Sequence, residues 1–129
     1  VYACIVVRGV IQGQTVLEQR YRKAIRGASG ARLWLHIAHD GSKDAQITAA
    51  NAEGYTILAF TPRTSSTLLR AAPIPDELII QLGPEGPGLS DAHIDAATPI
   101  RIPMAAGFDS LNVATACAIA LANVCDTSN

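Results

Sequence analysis

The sequence is short of charge and lacks patterned cysteines and histidines. Charged residues make up 16% of the 129 residues and the formal net charge is −1, so the strong field of a nonspecific polyanion binder is missing, while a local basic patch stays open. There are 3 cysteines, Cys4, Cys117 and Cys125. An odd count without metal-ligand spacing fits reduced thiols in a cytoplasmic protein better than a disulfide framework. Cys117 sits in an apolar run and reads as a small core residue. His36, His39 and His93 show no H-E-x-x-H or related spacing, so no metal site is expected, and no Ser-His-Asp order stands out. No basic segment precedes an apolar one as in a signal peptide. The longest helix-like apolar run, "LNVATACAIALA" (111–122), falls short of the roughly 20 residues of a membrane span. Repeats and linkers are missing too. Val1 leads almost at once into an apolar run, the pattern expected of a chain cut from a larger product.

What is present is apolar residue content of 49% in 13.5 kDa, enough for one domain with a buried core. Five apolar runs predict strands at 2–7, 32–38, 55–60, 77–82 and 99–104. Several are continuously apolar, as strands covered on both faces are. Helices are predicted between them: 15–27, with Thr15 and Glu18 at capping-box spacing, and 42–54, with Ser42 as N-cap and Gly54 as stop. Two more are predicted over 90–97 and 109–124, the last capped by Asp109 or Ser110 and apolar enough to be buried. Residues 61–76 read as irregular with at most one helical turn. The alternation predicts an α/β fold with a mostly parallel sheet and flanking helices. Ligands of such sheets bind beyond the carboxyl ends of the strands, where "FTPRTSS", "GPEGPGLS" and "PMAAGFDS" follow three predicted strands.

The stretch "LGPEGPGLS" (82–90) is not a phosphate loop. A Walker-type loop needs lysine after its last glycine, and Leu89 stands there; Gly83, Gly86 and Gly88 also miss the G-x-G-x-x-G spacing. Two readings remain open: glycines that let backbone approach a ligand, or a turn leading to an N-cap at Ser90. Asn112, expected in the first turn of a buried helix, needs hydrogen-bond partners, from a neighbouring loop or from a ligand. Arg22, Lys23 and Arg26 share one helical face, with Arg20 and Arg32 nearby; they form either a solvated face or a nucleic-acid backbone contact.

Together, "LGPEGPGLS" and "IPMAAGFDSLNVATACAIAL" closely resemble the second and third motifs of the SpoU (TrmH-type) RNA 2′-O-ribose methyltransferases of the SPOUT superfamily. Leu82, Gly83, Glu85, Gly86, Gly88 and Leu89 match L-G-x-E-G-x-G-L. Ile102, Pro103, Met104, Ser110, Leu111, Asn112, Val113 and Ala114 match I-P-M and S-L-N-V-A. A weaker likeness covers "KAIRGASGA" (23–31), where Lys23, Arg26, Gly30 and Ala31 match and Ala28 replaces the usual serine. The resemblance implies S-adenosylmethionine held in a deep C-terminal trefoil knot, transfer of its methyl group to a ribose 2′-hydroxyl of tRNA or rRNA, and a homodimer. It implies cofactor contacts from Phe60, Thr61, Leu82, Gly83, Gly86, Ile102, Met104, Leu111 and Asn112. Glu85, Ser110 and Asn112 would support catalysis, and Arg20, Arg22, Lys23, Arg26 and Arg32 would hold RNA.

The family's first motif, N-x-G-A-x-x-R, carries the arginine thought to activate the hydroxyl, and no asparagine of this chain is followed by that pattern. The expected organisation is therefore one methyltransferase domain over residues 1–129, whose first strand and helix would precede Val1. The chain as given would bind cofactor and lack its base. A noncatalytic RNA-binding or dimerisation module that keeps the fold is the alternative; another nucleotide-binding α/β enzyme is a third, weakened by both failed phosphate fingerprints.

Overall fold

The computed structural model describes residues 10–11, 37–38, 43–84 and 86–127. The chain divides into two compact units, residues 1–46 and 47–129. In the first, two short strands, β1 (Val10–Ile11) and β2 (Ile37–Ala38), pair in parallel. β2 falls inside the predicted 32–38 run. The predicted strand at 2–7, the 15–27 helix and the Ser42 cap lie outside the described residues.

Helix α1 (Lys43–Ala52) ends where a glycine was expected to stop it. Gly54 adopts φ +85°, its N–H bonds Asn51 C=O at 3.2 Å, and Tyr55 N–H bonds Ala50 C=O at 3.0 Å. This 6→1 and 5→2 pair satisfies the last carbonyls of the helix and turns the chain into the next strand.

The second unit is built on four parallel strands: β3 (Thr56–Phe60), β4 (Thr67–Leu68), β5 (Leu78–Gln81) and β6 (Thr98–Arg101), in the order β4-β6-β3-β5. Registers pair Leu58 with Ile80 and Thr98, and Ile100 with Phe60 and Thr67. In β3, Ile57, Leu58 and Ala59 are all buried although they alternate faces, so both sides of this strand are covered, as its unbroken apolar run implies. Leu58, Leu69 and Ile100 form a core cluster against which Phe60, Ala72, Ile74, Leu78 and Ile102 pack.

Two of the differences from expectation bear on the sheet. The 61–76 segment contains β4, a strand too short for period-2 patterning to reveal, followed by a 3-10 turn over Leu69–Ala71. β6 ends at Arg101 rather than 104, because Ile102 leaves the ladder to pack on the core and Pro103 has no N–H to continue it. β6 also carries a proline, Pro99, at its second position inside a central strand, normally a forbidden place. Ile100 C=O bonds toward β3, to Thr61 N–H at 3.0 Å, so Pro99 faces the β4 side, where pairing begins only at Ile100. The missing donor falls ahead of the neighbour that would have used it.

Two helices complete the unit. Helix α2 (Asp91–Asp95) packs on β6 and β3 through the buried Ile94. Helix α3 (Val113–Thr127) packs on the 3-10 turn. It starts four residues later than expected and is only half covered: Ala120 is fully buried, whereas Ile119 is 39% exposed. Cys117 is half-buried rather than a core residue, and that partial burial pushes its thiol above the ordinary range. No helix among the described residues is long and apolar enough to cross a membrane.

Candidate functional site

Strands β6, β3 and β5 are consecutive neighbours and run in the same direction, so their carboxyl ends lie side by side at one sheet edge. The loops that leave those ends are 102–112, 61–66 and 82–90. These are the three loops the sequence marks out. Adjacent strands stand about 4.8 Å apart, so the three loop origins span roughly 10 Å, the scale of a small ligand.

The 61–66 loop begins with Thr61, which is buried and extends the β3–β6 ladder. Thr61 Oγ1 accepts from Arg63 N–H at 3.4 Å, and Ser66 N–H closes a turn on Arg63 C=O at 3.1 Å. Arg101 Nε on β6 donates to Ser66 C=O at 3.3 Å.

The 82–90 loop is packed against itself. At Gly83 there is no space for a side chain, because the backbone of Gly88 and Leu89 fills the position a Cβ would take. Gly88 N–H donates to Pro84 C=O at 3.1 Å and closes the loop. The requirement for glycine at 83 therefore comes from the loop's own backbone, whatever else approaches it. Ser90 then caps α2, accepting from His93 N–H at 3.4 Å, so the turn-and-cap reading of this stretch holds.

In the 102–112 loop, Gly107 at φ +90° lies in a turn closed by Phe108 N–H on Ala105 C=O at 3.2 Å. Phe108 projects with 71% exposure. Asn112, not Asp109 or Ser110, caps α3. Its Oδ1 accepts from Ala114 N–H at 2.9 Å and Thr115 N–H at 3.4 Å, and its C=O accepts from Ala116 N–H at 2.9 Å. Four residues of the expected helix are thus spent on the loop, and Asn112 is an exposed cap rather than a carboxamide within a buried turn. Asn112→Ala is expected to cost about 1 kcal/mol of stability and Asn112→Ser only a few tenths, as read from urea unfolding midpoints.

Of the cofactor set named above, Phe60 and Ile102 pack on one core cluster, and Thr61 is hydrogen-bonded to β6. Leu82, Gly83 and Met104 are half-buried, while Gly86, Leu111 and Asn112 are exposed. Ser110 is exposed as well. Glu85, Arg20, Arg22, Lys23, Arg26 and Arg32 lie outside the described residues. A groove of about 660 Å³ lined by Leu69, Arg70, Ile102, Pro103 and, from α3, Ile119 and Ala122 shares only Ile102 with that set. Loop origin and backbone geometry, rather than this groove, mark the candidate site.

Two features escaped sequence reasoning. Gln81 ends β5 with its Oε1 buried and without a hydrogen-bond partner, an acceptor beside the glycine loop. A carboxamide in the apolar run "ELIIQL" was the available signal. Arg63 reaches from the 61–66 loop to Asp91 and, at 3.5 Å, to Asp95 on α2. Its acidic partners stand four apart, the helical spacing that puts both on one face.

The profile of the SpoU rRNA methylase family matches residues 2–122, which include all three loops. The chain belongs to the SpoU rRNA methylase family. A tRNA/rRNA methyltransferase of uncharacterized function from Mycobacterium bovis is 34% identical over 118 residues, covering 88% of this chain and 41% of that protein. The chain therefore spans about two-fifths of the length of this relative. Among solved structures, an RNA 2′-O ribose methyltransferase superposes with a TM-score of 0.81 at 25% identity, over 94% of this chain and 46% of the other. The AdoMet-bound rRNA methyltransferase of Sinorhizobium meliloti superposes with a TM-score of 0.84 at 24% identity, over 93% and 46%. The parallel sheet and flanking helices are thus those of SpoU methyltransferases.

Proposed function

We propose that this chain forms the cofactor-binding part of an S-adenosylmethionine-dependent methyltransferase acting on a ribose 2′-hydroxyl of tRNA or rRNA. The observation that carries the reading is the adjacency of β5 and β6 on either side of β3, which brings the two family motifs to one sheet edge. The relatives' names point to RNA, one solved neighbour is a 2′-O ribose methyltransferase, and another holds AdoMet.

The residues present fit the cofactor. The site offers backbone from three loops, and Gln81, at the end of β5 where the 82–90 loop begins, carries a buried acceptor without a partner. Among the described residues its loops carry no lysine, and their one arginine, Arg63, is paired with Asp91 and Asp95. A neutral, hydrogen-bonding adenosine moiety suits such a lining better than a polyphosphate does. When bound, S-adenosylmethionine supplies a sulfonium methyl group open to in-line displacement by the ribose oxygen. This chain's share would then be to place the ligand: Phe60, Thr61, Leu82, Gly83, Gly86, Ile102, Met104, Leu111 and Asn112 would hold the cofactor, while Glu85, Ser110 and Asn112 would support catalysis. The arginine base has no counterpart here, and no residue of this chain is given that role.

The motif resemblance supports a knotted C-terminal half, in which β6 inserts between β3 and β4. The half-exposed apolar surface of α3 supports a homodimer built on that helix. Basic residues 20–32 would hold the RNA backbone, in one methyltransferase domain over 1–129.

Calorimetry of the folded protein with S-adenosylhomocysteine is expected to give a micromolar Kd, on the order of −8 kcal/mol. Absence of heat with both this ligand and S-adenosylmethionine overturns the reading. Asn112→Asp keeps a capping oxygen, so weakened binding in that variant reports on the ligand and not on the helix. Arg22→Ala is expected to leave cofactor affinity intact and to lower RNA affinity and its salt slope.

A further inference from the structure

The geometry points to Arg63 as a positioning residue that clamps the 61–66 loop to the 82–90 loop through α2. Three observations carry it. First, Arg63 is itself held: its N–H bonds Thr61 Oγ1 and its C=O accepts from Ser66 N–H, within a loop whose first residue is pinned to β6. Second, its guanidinium engages two carboxylates at once, Asp91 and Asp95, which stand one turn apart on α2. Third, α2 begins at Ser90, where the glycine loop ends, and that loop is closed internally by Gly88 on Pro84 and by the Gly83–Leu89 contact. A loop closed on itself, joined to β5 on one side and to α2 on the other, is expected to shift when α2 shifts. Arg63 therefore sets the separation of two loops that leave neighbouring strands, β3 and β5.

The inference rests on the cofactor site proposed above, and says which ionic contact keeps its walls in register. The side chains are open to water, at 37% exposure for Arg63, 87% for Asp91 and 74% for Asp95. Exposed pairs add little to global stability and are screened by salt. The clamp consequently acts on ligand affinity rather than on unfolding. It also explains why a helix as short as α2 carries two acids four residues apart: both are needed to hold one planar guanidinium from a neighbouring loop.

The test is a double-mutant cycle on the full-length protein, with S-adenosylhomocysteine as the probe: Arg63→Gln, Asp91→Asn with Asp95→Asn, and all three together. Each arm is expected to weaken binding about three- to five-fold with the unfolding midpoint almost unchanged. The combined variant should be no weaker than the worse arm, because one interaction is removed in each case. Arg63→Lys keeps the charge without the fork and should fall between. In 1 M salt the unmodified protein should approach the affinity of Arg63→Gln. Additive losses, or an unaffected aspartate arm, overturn the clamp and make Arg63 a direct ligand contact. Should no form bind the probe, the cofactor reading fails separately, and amide exchange of residues 86–90 decides the clamp: faster exchange in Arg63→Gln upholds it, unchanged exchange overturns it.

Discussion

Gly83→Ala is expected to disrupt the 82–90 loop and to weaken ligand binding sharply. An alanine Cβ would sit 2.4 Å from both the carbonyl carbon of Gly88 and the nitrogen of Leu89, and 2.8 Å from Gly88 Cα. These obstructing atoms are backbone, so no rotamer change relieves the overlap and the loop must open. Overpacking of this kind costs about 2–3 kcal/mol. If that strain falls on the binding-competent conformation, affinity for S-adenosylhomocysteine drops by roughly 30-fold or more. Gly86→Ala is the control. Nothing lies within 4 Å of its Cβ position, and only φ +89° opposes the substitution, at about 1 kcal/mol. Calorimetry and thermal unfolding of both variants should rank Gly83→Ala far below Gly86→Ala. Equal losses would mean that backbone conformation, and not the self-contact at Gly83, holds the loop.

Ile100→Ala should be the most damaging core truncation. Ile100 is fully buried, and β6 on which it stands bonds β3 on one side and β4 on the other. Removing the side chain leaves a cavity against Leu58 and Leu69 and should cost about 3–4 kcal/mol. Domains of this size hold roughly 5–15 kcal/mol in all, so the urea midpoint should fall by a large fraction. Ile119→Ala, at a position 39% exposed, should cost under about 1 kcal/mol. A small effect at Ile100 would show that the core can collapse around the gap.

The parallel α/β architecture was legible because its signals are local. Apolar runs marked β3, β5 and β6, Gly54 marked the end of α1, and Ser90 marked the start of α2. The boundaries that were missed depended on distant partners. β4 exists because β6 offers it a ladder, not because "TL" has any strand pattern of its own. The final helix starts at Val113 because a glycine turn at 107 and the Asn112 cap together consume the residues before it. The site shows the same division. Its motifs were readable as a resemblance, and their convergence followed from a parallel sheet. That Gly83 is required by Gly88 and Leu89, and that Arg63 reaches across to α2, are contacts between residues up to 32 positions apart. No spacing rule encodes them.

The position of β6 has a consequence for how the molecule comes into being. Residues 56–60 and 67–68 leave the ribosome well before 98–101, yet they bond the latter and are not neighbours of each other. Until the last strand arrives, Leu58 and Leu69 wait with an open slot between them. Sheet closure is therefore a late, long-range event, of the kind that folds slowly and exposes apolar surface to aggregation meanwhile. A nascent chain stopped before residue 98 would contain two of the three candidate loops and no closed sheet to hold them together.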